Sequence, residues 1–169
     1  MLTLSSYGEN LSEKEFSRIV ATKGDTFKLP KEFSMYSITN KSNAKVRYEY
    51  SKDNILSIEL TANHKTVEGK YLVTEAYDKK RKLTLFIIKH YDKKNKCFYD
   101  EVMFPNQPVY VSKGIIKDKK TIVWQSSQAN GGKCISIETI DGKKSSITEK
   151  YYDSKKNFLY NAFVSTEYL

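Results

Sequence analysis

Hydrophilic turn words recur along this chain at near-even intervals, and they limit its fold more tightly than any other feature. Tyr77-Asp78-Lys79-Lys80 and Tyr91-Asp92-Lys93-Lys94 share one pattern, and Lys117-Asp118-Lys119-Lys120 and Tyr152-Asp153-Ser154-Lys155-Lys156 vary it. Aspartate suits such places because its carboxylate can accept hydrogen bonds from the backbone just ahead, while lysines keep a hairpin tip hydrated and discourage edge pairing. Further breaks fall at Lys52-Asp53-Asn54, Phe104-Pro105-Asn106-Gln107, residues 128–132 and Asp141-Gly142. The runs between them are rich in Tyr, Val, Ile, Phe and Thr, and they predict about ten strands. Their spans are 45–50, 55–60, 71–77, 83–91, 97–104, 109–116, 121–125, 134–140, 145–152 and 158–168, with an additional strand over 34–39.

Short connections force consecutive strands to be antiparallel, and uniformly tight turns favour an up-and-down order. A single open layer of that size would leave two long edges, which closure removes. The expectation is therefore an all-β protein: an antiparallel up-and-down meander barrel of about 8–10 strands with one short N-terminal helix. The helix is read from the capping box Ser12-Glu13-Lys14-Glu15, the staple positions Leu11 and Phe16, and the stop at Gly24. It would plug a barrel mouth or cover an outer patch. A single domain results, with residues 1–44 as an N-terminal segment and 45–169 as the barrel.

The 169 residues are 39% hydrophobic, enough for one core without disulfides or metals. No run approaches the roughly 18 apolar residues of a membrane-crossing helix. The N-terminus lacks the pattern of a secretory signal, so the chain reads as cytoplasmic, or as periplasmic or secreted with a signal removed. A net charge of +9 raises the question of nucleic acid. Only Arg18, Arg47 and Arg81 are arginines, however, and lysine lacks the bidentate fork suited to phosphates and guanine edges. The lysines also divide almost evenly between the two rims of the expected meander, so no polarised nucleic-acid face emerges. The uncharged connections Phe104-Pro105-Asn106-Gln107-Pro108 and Gln128-Ala129-Asn130-Gly131-Gly132 share one rim, the candidate mouth.

Motifs for catalysis are missing. His64 and His90 are the only histidines, and neither belongs to a zinc-type spacing or lies near a nucleophile elbow. Glu75, Glu101, Glu138, Glu149 and Glu167 fall inside expected strands, where an inward pair could do acid/base work and outward positions would simply be solvated. Cys97 and Cys134 open strands at opposite ends of the meander, beyond disulfide reach, and are expected as free thiols.

Gly69-Lys70-Tyr71-Leu72-Val73-Thr74-Glu75, Lys119 to Trp124 and Ala162-Phe163-Val164-Ser165-Thr166-Glu167-Tyr168 resemble the calycin-like barrels: fatty-acid-binding proteins, lipocalins and small bacterial lipocalin-like domains of undefined function. The likeness spans residues 45–169. It lacks the Gly-x-Trp signature of lipocalins, since Trp124 is the only tryptophan, and Thr166 stands where fatty-acid-binding proteins carry a carboxylate-clamping arginine. The resemblance implies a small apolar or amphipathic ligand inside the barrel, with Tyr160, Ala162, Val164, Thr166 and Tyr168 facing inward and Tyr48, Tyr99 and Tyr151 as companions. Thirteen tyrosines suit a partly wet cavity. No cofactor or metal is expected. Haem, which a single histidine holds in a few such barrels, is the one alternative considered, and a lone His90 reads better as a surface or core residue. A second reading is an interaction module that docks a protein or polyanion through basic rims or apolar strand faces. Residues 83–88 and 158–164 are apolar on both faces, which fits a homodimer.

Overall fold

The structure, a computed structural model, describes residues 30–36, 43–50, 58–67, 71–104, 109–128 and 130–169. Ten strands appear among them: β1 (Asn43–Tyr50), β2 (Ile58–Val67), β3 (Tyr71–Tyr77), β4 (Leu83–Asp92), β5 (Cys97–Met103), β6 (Tyr110–Asp118), β7 (Thr121–Ser127), β8 (Lys133–Asp141), β9 (Lys144–Tyr152) and β10 (Phe158–Tyr168). Each pairs antiparallel with its neighbours in sequence, and β1 pairs with β10 to close the barrel. The expected all-β meander barrel is the fold observed.

The turn words act as the sequence suggests. Asp78 Oδ1 accepts from the amides of Lys80 (2.8 Å) and Lys82 (2.9 Å). Asp92 accepts from Lys94 and Asn95, Asp118 from Lys120, and Asp153 from Lys155 and Asn157. These bonds favour the ionised side chain, and they hold the Asp92, Asp118 and Asp153 carboxyls below the usual carboxylate range. The reversals bring Arg81, Lys96 and Lys156 into positive φ, at 59°, 51° and 69°.

Two expectations near the N-terminus have different outcomes. The helix expected over 12–24 lies outside the described residues. The strand expected over 34–39 does not form at Ser34–Tyr36, which belong to a 3₁₀ helix, Lys31–Tyr36. Three residues per turn place Phe33 and Tyr36 on one side, whereas a strand would send them to opposite faces. Both rings enter the barrel and are fully buried: Phe33 lies edge-on to Phe98 at 5.3 Å, and Tyr36 does so at 6.0 Å. Phe98 follows the β4–β5 turn, so this helix stoppers the mouth where the β4–β5, β6–β7 and β8–β9 connections lie.

Candidate functional site: the barrel lumen

The strand registers sort side chains into two faces. One hydrogen-bonded row runs Tyr160, Tyr151, Cys134, Ser126, Ser112, Asp100, Lys89, and the next runs Ala162, Glu149, Ser136, Trp124, Gly114, Phe98, Tyr91. Both rows face inward, as the buried Phe98, Trp124, Ser136 and Ala162 show. Strand β8 is therefore inside out: Cys134, Ser136 and Glu138 point into the lumen, while Ile135 and Ile137 are exposed. A polar stripe thus spirals along the inner wall, facing an apolar side formed by Val46, Leu60, Leu85, Val102 and Val164.

The stoppered half is filled. Phe33, Tyr36, Phe98, Trp124, Ile122 and Ile140 all belong to the core there. Within it Glu138 accepts from three donors: Ser145 Oγ at 2.7 Å, Tyr36 Oη at 2.9 Å and Trp124 Nε1 at 3.1 Å. Burial, reinforced by the Glu138 charge, raises the Tyr36 phenol well above its ordinary range. Lys89 Nζ is 2.8 Å from Asp100 Oδ2 and lies 4.0 Å from the centre of the Trp124 ring. The side chains of this internal ion pair keep 13% and 14% of their surface accessible, so they border space a water molecule can reach. Burial raises the Asp100 carboxyl, and the Lys89 ammonium only partly offsets it.

The other half is lined by small residues on β6 to β10: Ser112, Ser126, Cys134, Ser136 and Ala162. Here Tyr151 donates to Glu149 Oε2 at 2.6 Å, and its ring stacks on Tyr160 at 4.4 Å. Glu149, Tyr151 and Tyr160 are half-buried, and burial raises the Glu149 carboxyl. Cys134 shares a 3.5 Å contact with Ser136 Oγ, and burial also lifts its thiol above the usual value. Phe158 and Leu159 are exposed at this mouth.

The structure brings Tyr151, Tyr160, Val164, Thr166 and Tyr168 to the inner register, with Ala162 between them. Tyr48 pairs at Cα with Val164, and its side chain is outside the described residues. Tyr99 must be corrected: it alternates with Phe98 and Asp100, so it turns to the outer side, where it stacks on His90 at 5.4 Å. Trp124 belongs to the core. Of the strand carboxylates, Glu138 and Glu149 face in; Glu101 faces out and is nevertheless fully buried. Outward-facing Phe86 and Ile88 are buried as well.

Lys89, Asp100 and His64 were not singled out as lumen residues, because charged and polar groups in a strand ordinarily read as solvated. His64 sits in β2 beyond its expected end, sharing a 2.8 Å hydrogen bond with Thr74 Oγ1 and lying 5.3 Å from the Tyr168 ring. Burial, aided by the Lys89 charge, lowers its pKa to about 4. The two thiols are free: Cys97 faces outward at the stoppered end and Cys134 faces inward at the other. Among the described residues no group of three His, Cys, Asp or Glu side chains could hold a metal, and no helix is long and apolar enough to cross a membrane. A cavity of about 500 Å³ is bordered by exposed Lys45, Arg47, Glu59 and Lys144 and also by Val46, Leu60, Ser145 and Thr166 of the inner register.

No family model matches the chain, and no curated protein matches it. Solved structures do. The crystal structure of Rv2717c from M. tuberculosis superposes with a TM-score of 0.56 at 12% identity, covering 83% of this chain and 99% of that one. A protein of unknown function from the DUF3598 family of Nostoc punctiforme gives 0.52 at 10% identity, covering 88% of this chain and 53% of that one. At such identities the likeness establishes a shared barrel fold.

Proposed function

We propose that this protein is a non-enzymatic binder that takes a small apolar or amphipathic molecule into the open half of its lumen, as calycin-like barrels do. The observation that carries the reading is the asymmetry of the interior: large aromatic side chains fill one end, and small residues with half-buried tyrosines and a carboxyl line the other. The exposed Phe158 and Leu159 give that mouth an apolar lip across which such a ligand could pass. Titration with N-phenyl-1-naphthylamine, an uncharged probe fluorescent in apolar surroundings, tests it. Saturable 1:1 uptake, abolished by Ala162→Trp in a folded variant, is expected. No uptake at tens of micromolar would overturn the reading.

A second reading, docking of a protein or of a second copy of the chain, has its own observation. Ile115, Ile137 and Phe163 are 54%, 52% and 39% exposed, and they lie in one row across the outer wall. A monomeric mass by sedimentation at high micromolar concentration would remove the homodimer.

A further inference from the structure

We propose that the lumen selects ligands that carry a positive charge: an organic amine or similar monocation joined to an apolar or aromatic body. The inference rests on the lumen being a small-molecule site and adds the chemistry of the head group.

It comes from how charge is divided between the faces of the wall. The chain carries 29 Lys and Arg against 20 Asp and Glu. Yet the described strand positions that face the lumen hold three carboxyls, Asp100, Glu138 and Glu149, against the single ammonium of Lys89. Among the described residues Lys89 forms an ion pair with Asp100 alone. Glu138 is held by three uncharged donors, and Glu149 by the Tyr151 hydroxyl; among the described residues no cation reaches either. The interior of a strongly basic protein is thus an acidic chamber.

The unsatisfied atoms point the same way. Among the described residues, Asp100 Oδ1 is buried with no hydrogen-bond partner, and so is Nε2 of His64, a side chain only 5% exposed. His64 faces the same lumen beside Tyr168, whose phenol feels the charges of Glu138 and Asp100. His64 Nδ1 shares its hydrogen bond with Thr74 Oγ1, in which either atom can donate. The Asp100 vacancy is a carboxylate acceptor, which an ammonium fills and a carboxylate or phosphate cannot. Beside Glu149, the Tyr151–Tyr160 stack offers π-faces suited to an organic cation. Burial raises the Asp100 and Glu149 carboxyls, a cost of ionisation that a bound cation would offset.

Three dansyl probes with one aromatic body distinguish the outcomes: dansylcadaverine (cationic), dansylamide (neutral) and dansylglycine (anionic). The basic exterior favours the anion, so the comparison is stringent. The expected result is that dansylcadaverine binds about tenfold or more tighter than dansylglycine, and that Glu149→Gln or Asp100→Asn removes most of this preference. Equal or tighter binding of dansylglycine, or a preference untouched by both variants, would overturn the inference. If dansylamide still bound, the lumen reading would survive. If no probe bound, both would fall.

Discussion

Gly114 lies directly beneath the indole of Trp124: a Cβ at position 114 would come within 2.7 Å of Cε3 and 2.8 Å of Cδ2. The two residues are register partners on β6 and β7, and the missing side chain lets the ring lie flat against the backbone. That posture carries Nε1 to Glu138 and offers the ring to Lys89.

Gly114→Ala should therefore displace the indole rather than merely stiffen a strand. Overpacking of this kind costs about 1–3 kcal/mol. Chemical denaturation should show that loss together with a shifted tryptophan emission, and Trp124 is the only tryptophan to report it. Unchanged emission and stability would refute the packing argument.

Asp100→Leu leaves the Lys89 ammonium inside the barrel with no carboxylate partner, and removing one member of a buried pair costs about 3–5 kcal/mol. Adding Lys89→Met takes the stranded charge away. Urea denaturation should find the double variant more stable than Asp100→Leu by about 2 kcal/mol, despite the lost contact with Trp124.

His64 gives stability a pH dependence of known sign. Its folded pKa is lowered from 6.5 to about 4, so folding favours the neutral ring. The contribution is fully present above pH 6.5 and is lost as pH falls toward about 4, a swing of roughly 3 kcal/mol. Asp100 and Glu149 act oppositely: their raised carboxyls contribute most at low pH, and that contribution fades as pH rises through their folded values. Comparing the wild type with His64→Gln isolates the histidine. The stability difference between the two proteins should shrink in favour of the variant as pH falls from 6.5 to 4.

Lys156 adopts φ 69° at the end of the Asp153 turn, a region costly for any residue with a side chain at Cβ. Lys156→Gly should raise stability by roughly 0.5–1 kcal/mol, the relief of strain being partly offset by the entropy of a freer unfolded chain. Thermal unfolding would register this as a higher midpoint, with the β9–β10 turn unchanged.

The strand count and order were legible because aspartate-centred reversals announce themselves chemically, and β3 and β10 run over the same residues as expected. The face of each strand was harder to read. On β8 the hydrophobic pattern points the wrong way, since Ile135 and Ile137 are solvated while Ser136 and Glu138 are buried. A polar lumen inverts the rule that apolar parity marks the core, and a tyrosine's amphipathic ring, the ground for placing Tyr99 inside, does not fix its parity on β5. The second half of β2 lies beyond the strand expected over 55–60: Asn63, His64 and Lys65 look solvated in sequence, although Ala62 and His64 alternate inward. The Lys89–Asp100 pair depends on cross-strand register, which no local pattern encodes.

The meander leaves one long-range event in the assembly of this barrel. Nine of its ten pairings join strands that follow one another, so hairpins can zip in sequence with little loop-closure entropy; the β1–β10 pairing must instead bring together the two ends of the strand run. The hydrogen bond from Leu169 N–H to the Asn43 carbonyl, 2.8 Å, belongs to that final clasp. Before it forms, two hydrogen-bonding edges stand open to other chains, which makes this juncture the one at which a slow-folding variant is most exposed to aggregation.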